Sequence, residues 1–219
     1  VLRERVRLLE LELYPYVSDY FRVCIFGSAR IRSDDEIYKS TYELALRLGE
    51  LGIDVLTGGG PGLMEAATRG AVAGKQRAGT KSRTIGLTID LNAREYPNDH
   101  LDVKVHHRKF SSRLDDFMRL SNAIIVERGG IGTLLELYFA WQLVQVGHLP
   151  MRPIILMDSA FWAGLIAWMK EEQLKRGLLS AIDFDCIHLA DKPDEALEII
   201  RAEHAKWHAQ RTEAPDANT

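Results

Sequence analysis

Cysteine is scarce in this sequence: Cys24 and Cys186 are the two present, and both lie in apolar stretches. Neither belongs to a CxxC pair or has a histidine at metal-ligand spacing, which disfavours a disulfide framework and a cysteine metal site. The pattern is typical of buried free thiols in a reducing compartment, so we expect a cytoplasmic protein. The chain begins at Val1 rather than Met, which leaves room for a short leader.

Long apolar runs and an excess of positive charge are also missing. No apolar run reaches the ~20 residues that a bilayer-spanning helix needs, so no membrane association is expected. The 28 Lys and Arg residues are offset by 31 Asp and Glu, and the net charge of −3 argues against an electrostatic nucleic-acid binder. Recognition of a single phosphate group is compatible with this balance. The 219 residues, 46% hydrophobic, suffice for one well-buried domain.

Two common phosphate-binding motifs are absent. The glycine-rich run at 57–62, TGGGPG, would need a further glycine at position 63 to match the dinucleotide fingerprint, and Leu63 stands there. It is not a Walker A loop either, because no Gly-Lys-Ser/Thr follows.

What the sequence does contain is a regular alternation of short apolar runs and amphipathic segments. This predicts an α/β protein with a single doubly wound, Rossmann-like parallel sheet and helices on both faces. The predicted strands are 21–26, 53–56, 84–89, 103–106, 123–126, 153–157 and 184–189. The predicted helices are 37–51, 63–74, one that begins at 107, 134–146, 161–169 and one from 192 through 207, with a basic loop at 75–83. Around this domain, 22–207, we expect an N-terminal helix at 1–21 and a polar tail at 208–219.

Three of the predicted strand-to-helix turns carry glycine together with polar groups: GSAR at 27–30, TGGGPG at 57–62 and RGGIGT at 128–133. In a parallel sheet such turns emerge at the same edge and can line one crevice. Glycine lets backbone N–H groups approach an anion at the start of the next helix. The expected phosphate contacts are Ser28, Gly59, Gly60, Gly62, Gly129, Gly130, Ile131, Gly132 and Thr133.

A purely structural interpretation of the last turn stays open at this point. Thr133 and Glu136 also fit a capping box, in which Thr133 caps the helix and Glu136 returns a hydrogen bond to it. In the same way, Ser28 can be a helix-capping serine rather than a ligand contact.

The segment after this turn is apolar on nearly every side from Leu134 to Val146. A helix without a polar face must be covered on both sides, either centrally in the fold or at a subunit interface. We favour a homodimer.

The motifs FGSAR, TGGGPGLMEAATRGA, IGLTIDL with YPN beyond it, and GGxGTxxE together resemble the LOG family, whose members are often labelled lysine decarboxylases. Its members are similar to cytokinin-riboside 5′-monophosphate phosphoribohydrolases and to bacterial purine and pyrimidine 5′-nucleotide nucleosidases. The resemblance runs from about residue 22 to 205 and is closer to the longer bacterial branch.

The resemblance implies two catalytic residues. The family motif PGGxGTxxE places its glutamate on Glu136, and the family arginine, twenty-three positions earlier, falls on Arg113. Arg108 lies five positions too early for this frame. The chain departs from the family at Arg128, where the motif has proline, and at Leu135, where many members have a second glutamate.

The implied reaction is hydrolysis of the N-glycosidic bond of a nucleoside 5′-monophosphate to free base and ribose 5-phosphate, without a metal or organic cofactor. A pyridoxal-phosphate decarboxylase would need a Schiff-base lysine, and we find no lysine set in such a loop. The alternatives are a non-catalytic nucleotide sensor or carrier on the same fold, motivated by Arg128, and a structural partner that uses the apolar helix.

Overall fold

A computed structural model describes residues 20–89 and 97–213. Within them the chain forms one seven-stranded sheet in which every neighbouring pair is parallel, in the order β4-β3-β2-β1-β5-β6-β7. The strands are β1 (Arg22–Phe26), β2 (Asp54–Thr57), β3 (Thr84–Ile89), β4 (Val103–His107), β5 (Ala123–Val126), β6 (Ile154–Met157) and β7 (Ile187–Ala190). The predicted doubly wound α/β fold is confirmed.

The strand order reverses direction between β1 and β5, which lie side by side with Phe26 opposite Val126. Such a switch point opens a crevice at the carboxyl ends of the strands. The central strands β1, β2, β5 and β6 are buried throughout, because helices cover both faces of the sheet. This explains their continuous apolar runs.

Six α-helices of the described residues form the two outer layers. They are α1 (Glu36–Glu50), α2 (Leu63–Ala78), α3 (Phe110–Leu120), α4 (Ile131–Gln145), α5 (Ser159–Trp168) and α6 (Pro193–Glu213). Core residues of α1, α2 and α6 pack on one face of the sheet. Core residues of α3, α4 and α5 pack on the other face. A π-helical segment, Met169–Leu174, continues α5, and a 3-10 turn, Ala181–Phe184, precedes β7.

Several predicted boundaries were wrong. Helix α2 does not end at Gly74 but continues to Ala78, so the start of the predicted basic loop is helical. The reason is that Gly74 serves close packing: a Cβ there would lie 1.9 Å from the carbonyl oxygen of Leu46 on α1. The helix stops instead at Gly79, which adopts a left-handed conformation with φ 66°.

At the carboxyl end, α6 extends past Trp207 to Glu213, so the first residues of the predicted polar tail are helical. Strand β7 begins at Ile187, later than predicted, because the 3-10 turn occupies 181–184. The predicted N-terminal helix and most of the loop between β3 and β4 fall on residues outside the described ranges. The division into helix, domain and tail stays a prediction.

Both cysteines are buried and unbonded, as expected. The reducing compartment inferred from them stays a prediction. Across residues 20–89 and 97–213, no helix combines the length and apolarity needed to cross a bilayer.

Candidate active site

The turns after β1, β2 and β5 meet at the switch point and line one cavity of about 840 Å³. The first turn contributes Gly27 to Arg30, the second contributes Gly58, and the third contributes Arg128 to Thr133. Helix α3 contributes Arg113, and Glu136 enters from α4. The three glycine turns that the sequence predicted to line one crevice therefore do line one cavity.

The turn after β5 leads into a helix start that no side chain caps, and we refer to this helix start as the anion seat. Helix α4 begins at Ile131 with Gly130 as its N-cap residue, and no side chain caps its first amides. Free N–H groups at a helix start, together with the helix dipole, favour a phosphate.

The capping-box interpretation of this turn is wrong. Because α4 starts at Ile131, Thr133 is the third helical residue rather than the cap, and its side chain is buried against Gly129. A Cβ on Gly129 would lie 2.0 Å from the Thr133 hydroxyl oxygen, so only glycine permits this contact. Glu136, one turn further on, is left to face the cavity.

Arg113 and Glu136 form the charged centre of the cavity. Nη2 of Arg113 lies 3.9 Å from Oε1 of Glu136, and the two side chains are only 12% and 15% exposed. Nε of Arg113 donates a hydrogen bond to the backbone carbonyl of Leu87 at 2.8 Å, and its guanidinium lies over the ring of Phe117. The arginine is thus held by strand and helix, and its Nη2 reaches toward the carboxylate.

Burial raises the pKa of Glu136 to about 7, and the positive charge of Arg113 partly opposes this rise. A carboxyl group with a pKa near neutrality exchanges protons readily at physiological pH. That property suits an acid–base or charge-stabilising role and is concentrated at functional sites.

Gly58 makes room for this centre, although sequence reasoning did not single it out. A Cβ at position 58 would lie 2.4 Å from Nη2 of Arg113. Gly58 belongs to the glycine run at 57–62, in which Gly59, Gly60 and Gly62 were the predicted phosphate contacts.

Gly59, Gly60 and Gly62 are buried and do not line the cavity. The side-chain amide of Asn98 donates to the carbonyls of Gly59 and Gly60, at 3.2 and 2.9 Å. Gly62 has φ 70°, and a Cβ there would lie 2.5 Å from the carbonyl oxygen of Ser28. These glycines therefore shape the turn, and phosphate contact by them stays a prediction.

Ser28 links the first and third turns. Its N–H donates to the carbonyl of Arg128 at 3.1 Å, and its side-chain oxygen accepts from the N–H of Arg30 at 3.1 Å. Its carbonyl accepts from the N–H of Leu63, the first residue of α2. Ser28 lines the cavity and does not cap the next helix in the chain, because the N-cap residue of α1 is Asp35, whose side chain accepts from the N–H of Ile37.

Arg128, in the position of the motif proline, forms an ion pair with Asp158 at the start of α5. The preceding residue, Glu127, is buried on the opposite side of the turn and accepts a hydrogen bond from the Thr41 hydroxyl at 2.9 Å. Burial raises the pKa of Glu127 to about 7. Sequence reasoning missed Asp158 and Glu127, because nothing in their local pattern predicts these long-range partners.

The cavity wall carries three arginines, Arg30, Arg113 and Arg128, against two carboxylates, Asp35 and Glu136. Among the residues that the structure describes, no group of three or more His, Cys, Asp or Glu side chains could hold a metal ion.

Comparison with known proteins places this site in a family. A family model described as "Possible lysine decarboxylase" matches residues 64–200, more than half of the chain, including Arg113 and Glu136. The chain belongs to this family, the LOG family.

Among curated LOG-like relatives, the pyrimidine/purine nucleotide 5′-monophosphate nucleosidase of Escherichia coli (strain K12) is 35% identical over 119 residues. The match covers 53% of this chain but 26% of the relative, so the chain spans about a quarter of that enzyme's length.

Solved structures of the same fold include two molybdenum-cofactor proteins. The molybdenum cofactor binding protein of Rippkaea orientalis is 21% identical with a TM-score of 0.60, over 84% of this chain and 95% of that chain. The molybdenum cofactor carrier protein of Chlamydomonas reinhardtii is 20% identical with a TM-score of 0.61, over 85% and 99%. At these identities the likeness shows the shared fold alone.

Proposed function

We propose that the protein hydrolyses the N-glycosidic bond of a nucleoside 5′-monophosphate, which yields free base and ribose 5-phosphate. The observation that carries the proposal is the position of Glu136. It lies one turn inside the helix that forms the anion seat, faces Arg113 at 3.9 Å, and has a pKa raised to about 7. The match to the nucleosidase of Escherichia coli supports the same reaction class.

The geometry suits the chemistry of this bond. A phosphate at the start of α4 would place the attached ribose beside Glu136, because Glu136 lies five residues, or about 7.5 Å, further along the helix and its side chain leans back toward the helix start. Binding energy from the phosphate, remote from the reacting bond, then orients the sugar.

As the bond between C1′ and the base nitrogen breaks, positive charge develops on the ribose ring. The Glu136 carboxylate stabilises this oxocarbenium character and orients the water that attacks C1′. The water's oxygen forms the new bond to C1′, and its proton passes to Glu136 or solvent. Arg113 holds the carboxylate and the ribose hydroxyls, and the departing base takes up a proton.

Release of base from AMP, GMP and CMP, measured by chromatography, tests the proposal. We expect Glu136→Gln to lower kcat/KM at least about a hundredfold. Wild-type kcat/KM should rise as the pH increases through about 7, since the ionised carboxylate is the active form.

Glu127→Gln is a matched control, because Glu127 is an equally perturbed carboxyl that does not line the cavity. It should retain most of the activity. If wild type and Glu136→Gln released base at the same rate from every monophosphate, the proposed enzymatic activity would be refuted.

A non-catalytic nucleotide sensor or carrier is the second candidate, and Arg128 in place of the motif proline favours it. The fold does not decide between the two, since a fold hosts many functions. This candidate predicts nucleotide binding without turnover. A calorimetric titration in which no 5′-monophosphate binds would eliminate it.

We also propose that the protein is a cytoplasmic homodimer. The outer face of α4 and α5 exposes Tyr138 and Trp168, and Tyr138 contacts Met169 directly after α5. Such a joined apolar surface is typical of a subunit interface. Leu135 and Phe161, which are also exposed, line the cavity. We expect neither nucleic acid nor a membrane as a partner, and neither a metal nor an organic cofactor.

A further inference from the structure

The pair formed by Arg128 and Asp158 is the feature of the cavity wall that the proposed reaction leaves unexplained. Both Nε and Nη2 of Arg128 contact the same oxygen, Oδ2 of Asp158. The other oxygen, Oδ1, accepts a hydrogen bond from the N–H of Phe161 and caps α5. One carboxylate therefore serves the guanidinium and the helix start at once.

This pairing engages Nε and Nη2 of a residue that also lines the cavity. Arg128 lines the cavity and its side chain is 45% exposed, whereas Asp158 is 23% exposed and does not line it. Since Asp158 engages Nε and Nη2, the donors of Nη1 are directed away from that contact. An arginine has five N–H donors in a rigid fork, so it can keep its carboxylate and still bind an anion.

The backbone of Asp158 adds a second observation. Its φ is 73° and its ψ is 84°, and no other non-glycine residue in the described ranges has a positive φ. A non-glycine residue in this region is strained, and such strain is concentrated at functional sites. Here the strained backbone places one carboxylate where it contacts both α5 and Arg128.

The main chain of Arg128 is fixed as well. Its carbonyl accepts the N–H of Ser28 at 3.1 Å, which ties it to the turn after β1. It is followed directly by Gly129 and Gly130, which lead into the anion seat. The guanidinium is thus attached within two residues of the helix start that would hold a phosphate.

We infer that Arg128 binds the ligand's phosphate directly, as a specificity-determining residue, and that Asp158 is a positioning residue that holds it there. The inference rests on the phosphate seat of the proposed function. It implies that the site selects phosphorylated ligands through a charged group that the family motif lacks, since proline has no such group. The chemical class of ligand is a sugar or nucleoside carrying a terminal phosphate.

Calorimetric titration with ribose 5-phosphate tests this inference, because the compound has no glycosidic base to lose. Arg128→Gln should weaken binding about tenfold and reduce the dependence of affinity on salt between about 50 and about 300 mM. Arg128→Lys should keep the salt dependence with intermediate affinity. The matched control is Arg176→Gln, which breaks a surface ion pair with Glu172 and should change neither quantity.

Asp158→Asn tests the positioning role. Asparagine tolerates a positive φ and caps helices as well as aspartate does, so α5 and the strained backbone should persist while the charge is lost. We expect about threefold weaker binding, and the double variant Arg128→Gln/Asp158→Asn should bind no more weakly than Arg128→Gln alone.

Three outcomes would overturn the inference. If Arg128→Gln and Arg176→Gln bind ribose 5-phosphate with the same affinity and the same salt dependence, Arg128 does not bind the phosphate. If the two substitutions in the double variant have additive effects, Asp158 does not act through Arg128. If the unaltered chain does not bind ribose 5-phosphate, no phosphate seat exists, and base release from AMP then reports separately on the proposed reaction.

Discussion

Glu127 and Glu136 are two buried carboxyl groups whose pKa values are both raised to about 7, yet their surroundings give them different roles. Glu136 faces Arg113 across the cavity at 3.9 Å. Glu127 lies behind the turn, 3% exposed, with Thr41 as a hydrogen-bond donor. The second group therefore affects the stability of the fold rather than the chemistry of the site.

Glu127→Gln should stabilise the protein at alkaline pH. The folded-state pKa is raised above the ordinary value of 4.5, so the folded protein binds this proton more tightly than the unfolded chain does. The resulting stability is present below about pH 4.5 and is lost as the pH rises through about 7. Glutamine does not titrate and can still accept the Thr41 hydrogen bond.

Urea unfolding checks this expectation. The free energy of unfolding of Glu127→Gln should exceed that of wild type by a small amount at about pH 5 and by about 3 kcal/mol at about pH 8.5. Thr41→Val, which removes the donor, should destabilise the protein more at the higher pH. An equal difference between Glu127→Gln and wild type at both pH values would contradict the assignment.

The catalytic roles of Arg113 and Glu136 stay predictions. At this scale the sequence, through its resemblance to the LOG family, indicated both residues, which lie 3.9 Å apart in the cavity. It did not predict Glu127 or Asp158. Their partners, Thr41 and Arg128, lie 86 and 30 positions away in the chain. Such contacts depend on how the helices pack against the edge of the sheet, and local sequence patterns do not encode this packing.

Close contact between α1 and α2 depends on glycine. A Cβ on Gly70 would lie 2.2 Å from the carbonyl oxygen of Tyr42, and one on Gly74 would lie 1.9 Å from that of Leu46. Both acceptors belong to the backbone of α1, which cannot move aside cheaply. The absent side chains are thus what let the two helices pack together on one sheet face.

Gly74→Ala should therefore lower the free energy of unfolding by about 3 kcal/mol, although alanine is the better helix former. Denaturant unfolding measures the change. Gln76→Ala, on the exposed side of the same helix, is the control and should shift stability by less than about 0.5 kcal/mol. If Gly74→Ala left stability unchanged or raised it, the close helix contact would be wrong.

The existence of the elements was predictable from the alternation of apolar runs, whereas some of their ends were not. The predicted second helix ended at Gly74, but the contact of Gly74 with Leu46 on α1 makes it a packing residue inside a longer helix. The pattern Thr133-x-x-Glu136 fits both a cap and a site; the start of α4 at Ile131 excludes the cap, and the site stays a prediction. Only the three-dimensional context separates these alternatives.

For the whole molecule, parallel strands and right-handed crossovers placed three sequence-distant turns at one edge, so the location of the site was predictable. Its walls were not. Phe110 and Phe161 line the cavity from the starts of α3 and α5, and neither belongs to a recognisable motif.

The assembly state is the remaining prediction at this scale. A second copy of the chain is the partner that we propose for the apolar outer face of α4 and α5. Trp168, 51% exposed beside Met169, contributes a large apolar surface to that face. Buried aromatic residues carry much of the binding energy of an interface, so Trp168→Glu should weaken dimerisation at least about thirtyfold.

Sedimentation equilibrium checks this outcome, with wild type expected at twice the mass of one chain and Trp168→Glu at the mass of one. Leu51→Glu is the matched control, because Leu51 is an exposed apolar residue that directly follows α1, on the opposite sheet face. It should sediment as wild type does. A wild-type chain that is monomeric at every concentration would refute the dimer, and the apolar face of α4 and α5 would then need another cover.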